Sequence, residues 1–147
     1  MPVIDCTTTT AAPPERVLAA LIDFSADRPR IWPGLDPRFY EVHDLGETSA
    51  EVTEGSAFAG GIWERARYDW SEPGAVTITV LDSNAFTPGG SWTYRISPDG
   101  AGTRVDLRVE RRGRTAKGRL LAALLHVTGR AVFCGDLRKT LAGLAAA

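Results

Sequence analysis

Glu54 and Glu64 are the residues of this 147-residue sequence whose type and spacing point most directly to chemistry. They stand symmetrically about Phe58-Ala59-Gly60, and a hairpin turning there pairs Glu54 with Glu64, Val52 with Ala66 and Ala50 with Tyr68. Two carboxylates side by side in a partly apolar setting repel each other when both are ionised. One then holds its proton to higher pH, which suits it to hydrogen-bond donation or to general acid/base work. An earlier hairpin centred on Glu47 sets Tyr40 beside Glu54 and Val42 beside Val52. A turn at Pro73-Gly74 sets Glu64 beside Val80, and Val80 beside Tyr94. The inward row then reads Tyr40, Glu54, Glu64, Val80, Tyr94, with Asp82 and Trp92 one pair nearer the loop ends. Tyr40 and Tyr94 would orient a ligand carbonyl or hydroxyl. The alternative is that both glutamates lie at strand ends near solvent, or pair with arginines from the helix or loops. A slip of one residue would turn any of these side chains outward.

The aromatic residues Trp32, Tyr68, Trp70, Phe86 and Trp92 are core filler or the lining of a ligand pocket. Ala66, small and in mid-strand, leaves room on its face for the second role. The loop from Asn84 to Gly90 is long for a hairpin connection and carries Phe86, either as the lip of a pocket or tucked back. The basic run Arg108, Arg111, Arg112, Arg114, Lys117, Arg119 is either a clamp for an acidic headgroup or a solvated face. His43 shares a polar strand face with Glu41 and is expected opposite Glu51, on the surface; His126 falls off the apolar stripe of its helix. Neither has a nucleophilic Ser or Cys at motif spacing, so no hydrolase triad is expected. The sequence carries no ligand cluster for a metal and no glycine-rich nucleotide loop, so neither metal nor cofactor is expected.

Positioning such residues takes a sheet and something to cover it. Val3 to Thr10 reads as a strand, and Pro13-Pro14 open a short helix. A second short helix ends at Trp32-Pro33-Gly34. From Arg38 to Glu110 the apolar period is two, giving six antiparallel strands with Arg/Thr/Asp on the opposite face. From about Thr115 the period becomes 3.6. Leu120, Leu124, Val127, Ala131, Cys134, Leu137, Leu141 and Leu144 form one stripe, expected to lie against the sheet with Leu124 facing the ligand space.

Seventeen basic and eighteen acidic residues give a net charge of -1, which predicts no nucleic-acid or anionic-membrane footprint. Cys6 and Cys134 are two residues on apolar faces, read as small buried hydrophobes. No signal peptide or membrane-spanning run is recognised, so a cytoplasmic location is expected. The fold class is α+β: a curved seven-stranded antiparallel sheet wrapped round a long C-terminal helix, with two short helices between strands 1 and 2, in a single domain over residues 1–147.

This order resembles the helix-grip fold of the START-like, birch-pollen-allergen-like (SRPBCC) superfamily, closest to its polyketide cyclase/dehydrase and lipid-transport group. The resemblance rests on Ala12-Pro13-Pro14-Glu15-Arg16-Val17, on Trp32-Pro33, and on Glu64-Arg65-Ala66-Arg67-Tyr68-Asp69-Trp70 running into Pro73-Gly74. Ala57-Phe58-Ala59-Gly60-Gly61 is poorer in glycine than the allergens' loop, and the gate loops of plant hormone receptors are absent, so those ligands do not carry over. What the resemblance implies is a cavity between helix and sheet that binds a small hydrophobic or aromatic molecule. Its lining would include Trp32, Tyr40, Ala66, Tyr68, Val80, Asp82, Phe86, Trp92, Tyr94 and Leu124. A cyclase-like enzyme with Glu54 and Glu64 as acid and base is the second reading, and a partner-binding module with a filled core, working through Phe86, is the third.

Overall fold

The computed structural model describes residues 3–146, with the side chains of Leu125 and His126 outside the description. Strand β1 (Val3–Thr10) is followed by helices α1 (Pro14–Leu21) and α2 (Arg28–Ile31). Strands β2 (Glu41–Leu45), β3 (Ser49–Ser56), β4 (Ile62–Asp69), β5 (Ala75–Ser83), β6 (Ser91–Asp99) and β7 (Gly102–Glu110) follow, and α3 (Ala116–Ala146) ends the chain. One antiparallel sheet has the order β1-β7-β6-β5-β4-β3-β2, so the meander from β2 to β7 closes on the first strand. The β3–β4 register is the expected one: Ala50 pairs with Tyr68, Val52 with Ala66, and Glu54 with Glu64. Val42 also pairs with Val52 as expected.

Two bulges alter the rest. Between β4 and β5 one residue is inserted at Leu81, so Ala66 pairs with Val80, Arg65 with Asp82 and Glu64 with Ser83. An extra residue shifts every position beyond it to the other face. Asp82, expected inward, therefore lies on the outer face, where its carboxylate accepts from Arg114 at 3.0 Å. Val80 remains inward but neighbours Ala66 rather than Glu64; Tyr94 pairs with Val76 and Trp92 with Ile78. In β2 the irregularity falls at His43, which meets Thr53 Oγ1 at 2.7 Å, while Asp44 takes the place opposite Glu51.

The main core lies between the inner face of the sheet and the second half of α3. Ile4, Cys6, Val52, Ala66, Val76, Val105, Leu107 and Val109 meet Cys134, Leu137 and Leu141 there, with Val17 and Leu21 of α1. Cys6 and Cys134, read from the sequence as separate thiols, join in a disulfide that ties β1 to α3. Cysteine usage therefore gives no argument for a reducing compartment. The first half of α3 uses a different face: Leu121 and Ala122 pack on Ala85, Phe86 and Ile62. Gly118 permits this contact, because a Cβ there would run into the Ala85 carbonyl oxygen.

The axis of α3 bends by 75° between Ala116–Leu124 and Val127–Ala146. Ala122 and Cys134 are twelve residues apart, about 120° off a common line at 3.6 residues per turn. A straight helix cannot bury both. The expected single stripe thus holds for Cys134, Leu137 and Leu141 but not upstream, where Leu120, Leu124, Val127 and Ala131 face solvent. No single helix among the described residues is long and apolar enough to cross a membrane.

Candidate functional site

The inward glutamates sit on adjacent strands, and each is met from behind by an arginine that the sequence reading did not single out as its partner. Arg28 Nε donates to Glu54 Oε2 at 2.8 Å, and Arg111 Nη2 donates to Glu64 Oε2 at 2.9 Å. The arginine side chains are 3% and 2% exposed, the glutamates 22% and 18%. The cations are therefore covered and the carboxylates are partly accessible. This is the arginine-paired alternative of the sequence reading.

Local sequence explains where the arginines come from. Asp23 accepts from the Ser25 amide at 2.9 Å, a tight turn after α1 that brings Arg28 back over the helix end. Arg28 Nη1 donates to the carbonyls of Leu21 (3.0 Å) and Asp23 (2.8 Å), capping orphan acceptors at that C-terminus. Its guanidinium lies 4.6 Å from the Phe24 ring centroid and 5.2 Å from that of Tyr68. Arg111 directly follows β7. The β5–β6 loop holds its segment: Thr87 N donates to Arg112 O at 2.7 Å, Arg114 N to Ala85 O at 2.9 Å, and Phe86 bridges to Gly113. Arg111 stacks over Trp92 at 4.5 Å and near Phe86 at 5.7 Å.

Tyr68 completes the Glu54 group: its hydroxyl donates to Glu54 Oε1 and accepts from Arg28 Nη2 at 3.0 Å. Burial, together with the neighbouring Glu54 charge, pushes the Tyr68 phenol well above its ordinary value. Burial likewise raises Tyr94 and Tyr40. Burial dominates at Glu64. Desolvation raises its pKa above the ordinary 4.5 despite the opposing Arg111 charge, with Glu54 adding to the rise. Desolvation also lowers Arg111, opposed by Glu64. Glu54 accepts from two donors and Glu64 from one; the raised pKa of Glu64 suits it to carry a proton.

The remaining residues divide into those on the inner face with the glutamates and those placed elsewhere. Tyr40 points its hydroxyl inward, buried and without a hydrogen-bond partner. Trp32 packs on the core and donates from Nε1 to Ala20 O at 3.1 Å, with its ring 6.4 Å from that of Tyr94. Trp92, partly buried, meets Phe133 of α3 edge-on at 4.8 Å. Ala66, Tyr68, Val80 and Tyr94 are all buried on the inner face. Phe86 is tucked back at 5% exposure and is no exposed lip; Asp82 and Leu124 lie on outer surfaces. Two shallow concavities of about 320 and 310 Å³ occupy the outer face of the sheet, around Thr93 and Arg95 and around Arg67 and Thr79, and do not include the glutamates. The signal in sequence for Arg28 and Arg111 was indirect: two inward carboxylates demand compensation, but only the folded chain says by which cations.

The family model described as polyketide cyclase / dehydrase and lipid transport matches residues 1–147. Among solved structures, a protein from Thermus thermophilus superposes with a TM-score of 0.79 at 20% identity, covering 98% of this chain and 97% of that one. The Zhui aromatase/cyclase from Streptomyces sp. R1128 gives 0.76 at 21% identity, covering 95% and 90%. A START superfamily protein from Mycobacterium smegmatis gives 0.75 at 15% identity, covering 96% and 94%. At these identities the likeness is one of fold. No curated protein matches the sequence.

Proposed function

The chain belongs to the polyketide cyclase / dehydrase and lipid transport family, and from that premise we propose that it binds a small hydrophobic or aromatic molecule in the cleft between the sheet and α3. The observation that carries this reading is the polarity of the inner face. Two partly accessible carboxylates, each backed by a covered arginine, stand among Trp32, Trp92, Tyr40 and Tyr94. Burial of aromatic ligand surface would drive binding, and a few fixed polar groups would set its orientation. Glu54, locked by Arg28 and Tyr68, offers an acceptor to a ligand hydroxyl. Glu64 in its protonated form offers a donor to a ligand carbonyl. The Tyr40 hydroxyl, buried and unpartnered, supplies a third polar contact.

The test is native mass spectrometry of freshly purified protein, followed by solvent extraction of what it carries. A discrete extra mass that extracts as an apolar or aromatic compound supports the reading. If protein stripped and reloaded with such extracts never regains mass, the reading fails.

A second reading is favoured by the raised pKa of Glu64: acid/base catalysis of a cyclisation or dehydration, with Glu64 moving the proton and Glu54 stabilising the charge that develops. Glu64→Gln would then abolish turnover of a loaded poly-β-carbonyl substrate while affinity is largely kept. Turnover equal to wild type would dismiss it.

A further inference from the structure

The face of α3 that fails to meet the sheet carries its own pattern. Leu120 and Leu124, one helical turn apart on the segment before the bend, are 72% and 46% exposed, and Val127, where the second segment begins, is 81% exposed. Phe58, in the turn between β3 and β4, is 60% exposed. That turn adjoins the helix start: a Cβ on Gly60 would stand 3.7 Å from Lys117 Nζ. The segment that carries this patch is basic. Residues 112 to 130 include Arg112, Arg114, Lys117, Arg119 and Arg130 and no Asp or Glu. Arg114 is tied to Asp82; the other four are exposed and enter no ion pair among the described residues. The net charge of -1 hides this local excess.

We propose that this surface, the exposed face of α3 from Leu120 to the bend at Val127 with the Phe58 turn, docks on an anionic phospholipid bilayer. Exposed Leu, Val and Phe beside Lys and Arg is the composition of an element lying at a membrane interface, the apolar groups at the acyl boundary and the cations among the headgroups. Charge selects the bilayer over a second copy of the chain. Two copies meeting here would set the unpaired Lys117 and Arg119 of one against those of the other, whereas anionic headgroups complement them. The same helix start packs on Ile62 and Phe86, and Ile62 is two residues from Glu64, so docking would bring the Glu64 end of the cleft to the lipid. The surface is proposed independently of whether the cleft holds a ligand.

The experiment is co-sedimentation of the full chain with vesicles of phosphatidylcholine, and of phosphatidylcholine mixed with phosphatidylglycerol. Binding is expected only to the mixed vesicles and should weaken as salt is added. Replacing both cations nearest the turn (Lys117→Gln with Arg119→Gln) should lower partition roughly 30-fold, taking about 1 kcal/mol per surface cation. Leu120→Ser with Val127→Ser should lower it roughly tenfold or more, with the melting temperature held because both side chains are already in water. No sedimentation with mixed vesicles, or equal partition of wild type and both variants, overturns the proposal. A concentration-dependent dimer abolished by Leu120→Ser/Val127→Ser would overturn it too, by assigning the face to a second copy. Ligand occupancy measured on the same variants reads the cleft separately.

Discussion

Arg111 and Glu64 are unequal partners, because a carboxyl can give up its charge and a guanidinium cannot. Removing Glu64 leaves a covered cation with no counter-charge, a loss on the order of 3–5 kcal/mol. Removing Arg111 lets Glu64 take up a proton, so Arg111→Met should cost less, about 1–3 kcal/mol. Denaturant unfolding of Glu64→Gln and Arg111→Met at neutral pH decides this, and equal losses would contradict it. The pH dependence has a definite sign. Glu64 has a higher pKa folded than unfolded, so its ionisation costs the folded state nothing below the ordinary 4.5 and a growing amount as pH rises through the raised value. Arg111 opposes that rise. In Arg111→Met the loss of stability should therefore extend to higher pH, and in Glu64→Gln this component of the slope should vanish. Melting temperature against pH for both variants would show it.

At the scale of elements, α3 is two packed segments joined by a bend, each with its own anchor. Gly118 anchors the first by letting the helix backbone touch Ala85. Alanine favours helix by roughly 1 kcal/mol over glycine, but here its methyl would meet a backbone carbonyl. Gly118→Ala should therefore destabilise by about 1–3 kcal/mol, read as a lower unfolding midpoint; a stabilised variant would mean that the first segment is not docked this way. The disulfide anchors the second segment across 128 residues of sequence. Breaking it by reduction or by Cys134→Ser should cost about 2–4 kcal/mol, and so lower the melting temperature by roughly 5–15 °C. An unchanged melting curve under reductant would exclude the bond as a support of the fold.

The whole molecule separates its surfaces by chemistry. Outside, the sheet is a lattice of Arg, Asp, Glu and Thr, such as Arg65 with Glu51 and Arg108 with Asp5 and Glu110. Solvent-exposed pairs of this kind contribute little stability. Inside, two ion pairs are set among aromatic rings. One end of the molecule, at the start of α3, combines apolar and basic groups. A ligand filling the cleft at a hundred times its dissociation constant would stabilise the protein by about 2.7 kcal/mol. Protein stripped of cleft-bound ligand should accordingly melt lower than protein as purified, by roughly 5–10 °C, and recover on reloading.

The antiparallel meander, the Glu54–Glu64 pairing and the long closing helix were all legible in the chain, because each rests on local periodicity and on short turns that count residues. What lay beyond that reading arose where distant segments meet. The bulge at Leu81, which turned Asp82 outward, adds one residue with no mark in the alternation of β5. Cys6 and Cys134 look like isolated apolar residues until β1 and α3 lie side by side. The upstream half of the α3 stripe is periodic, yet the sheet selects another face there, since Gly118 and Ala122 fit against Ala85 and Phe86 and the Leu120 face does not. Arg28 and Arg111 read as loop charges because their carboxylate partners are 26 and 47 residues away. Periodicity determines which elements form and which residues share a face; only the packed structure decides what each face meets and which buried charges answer one another.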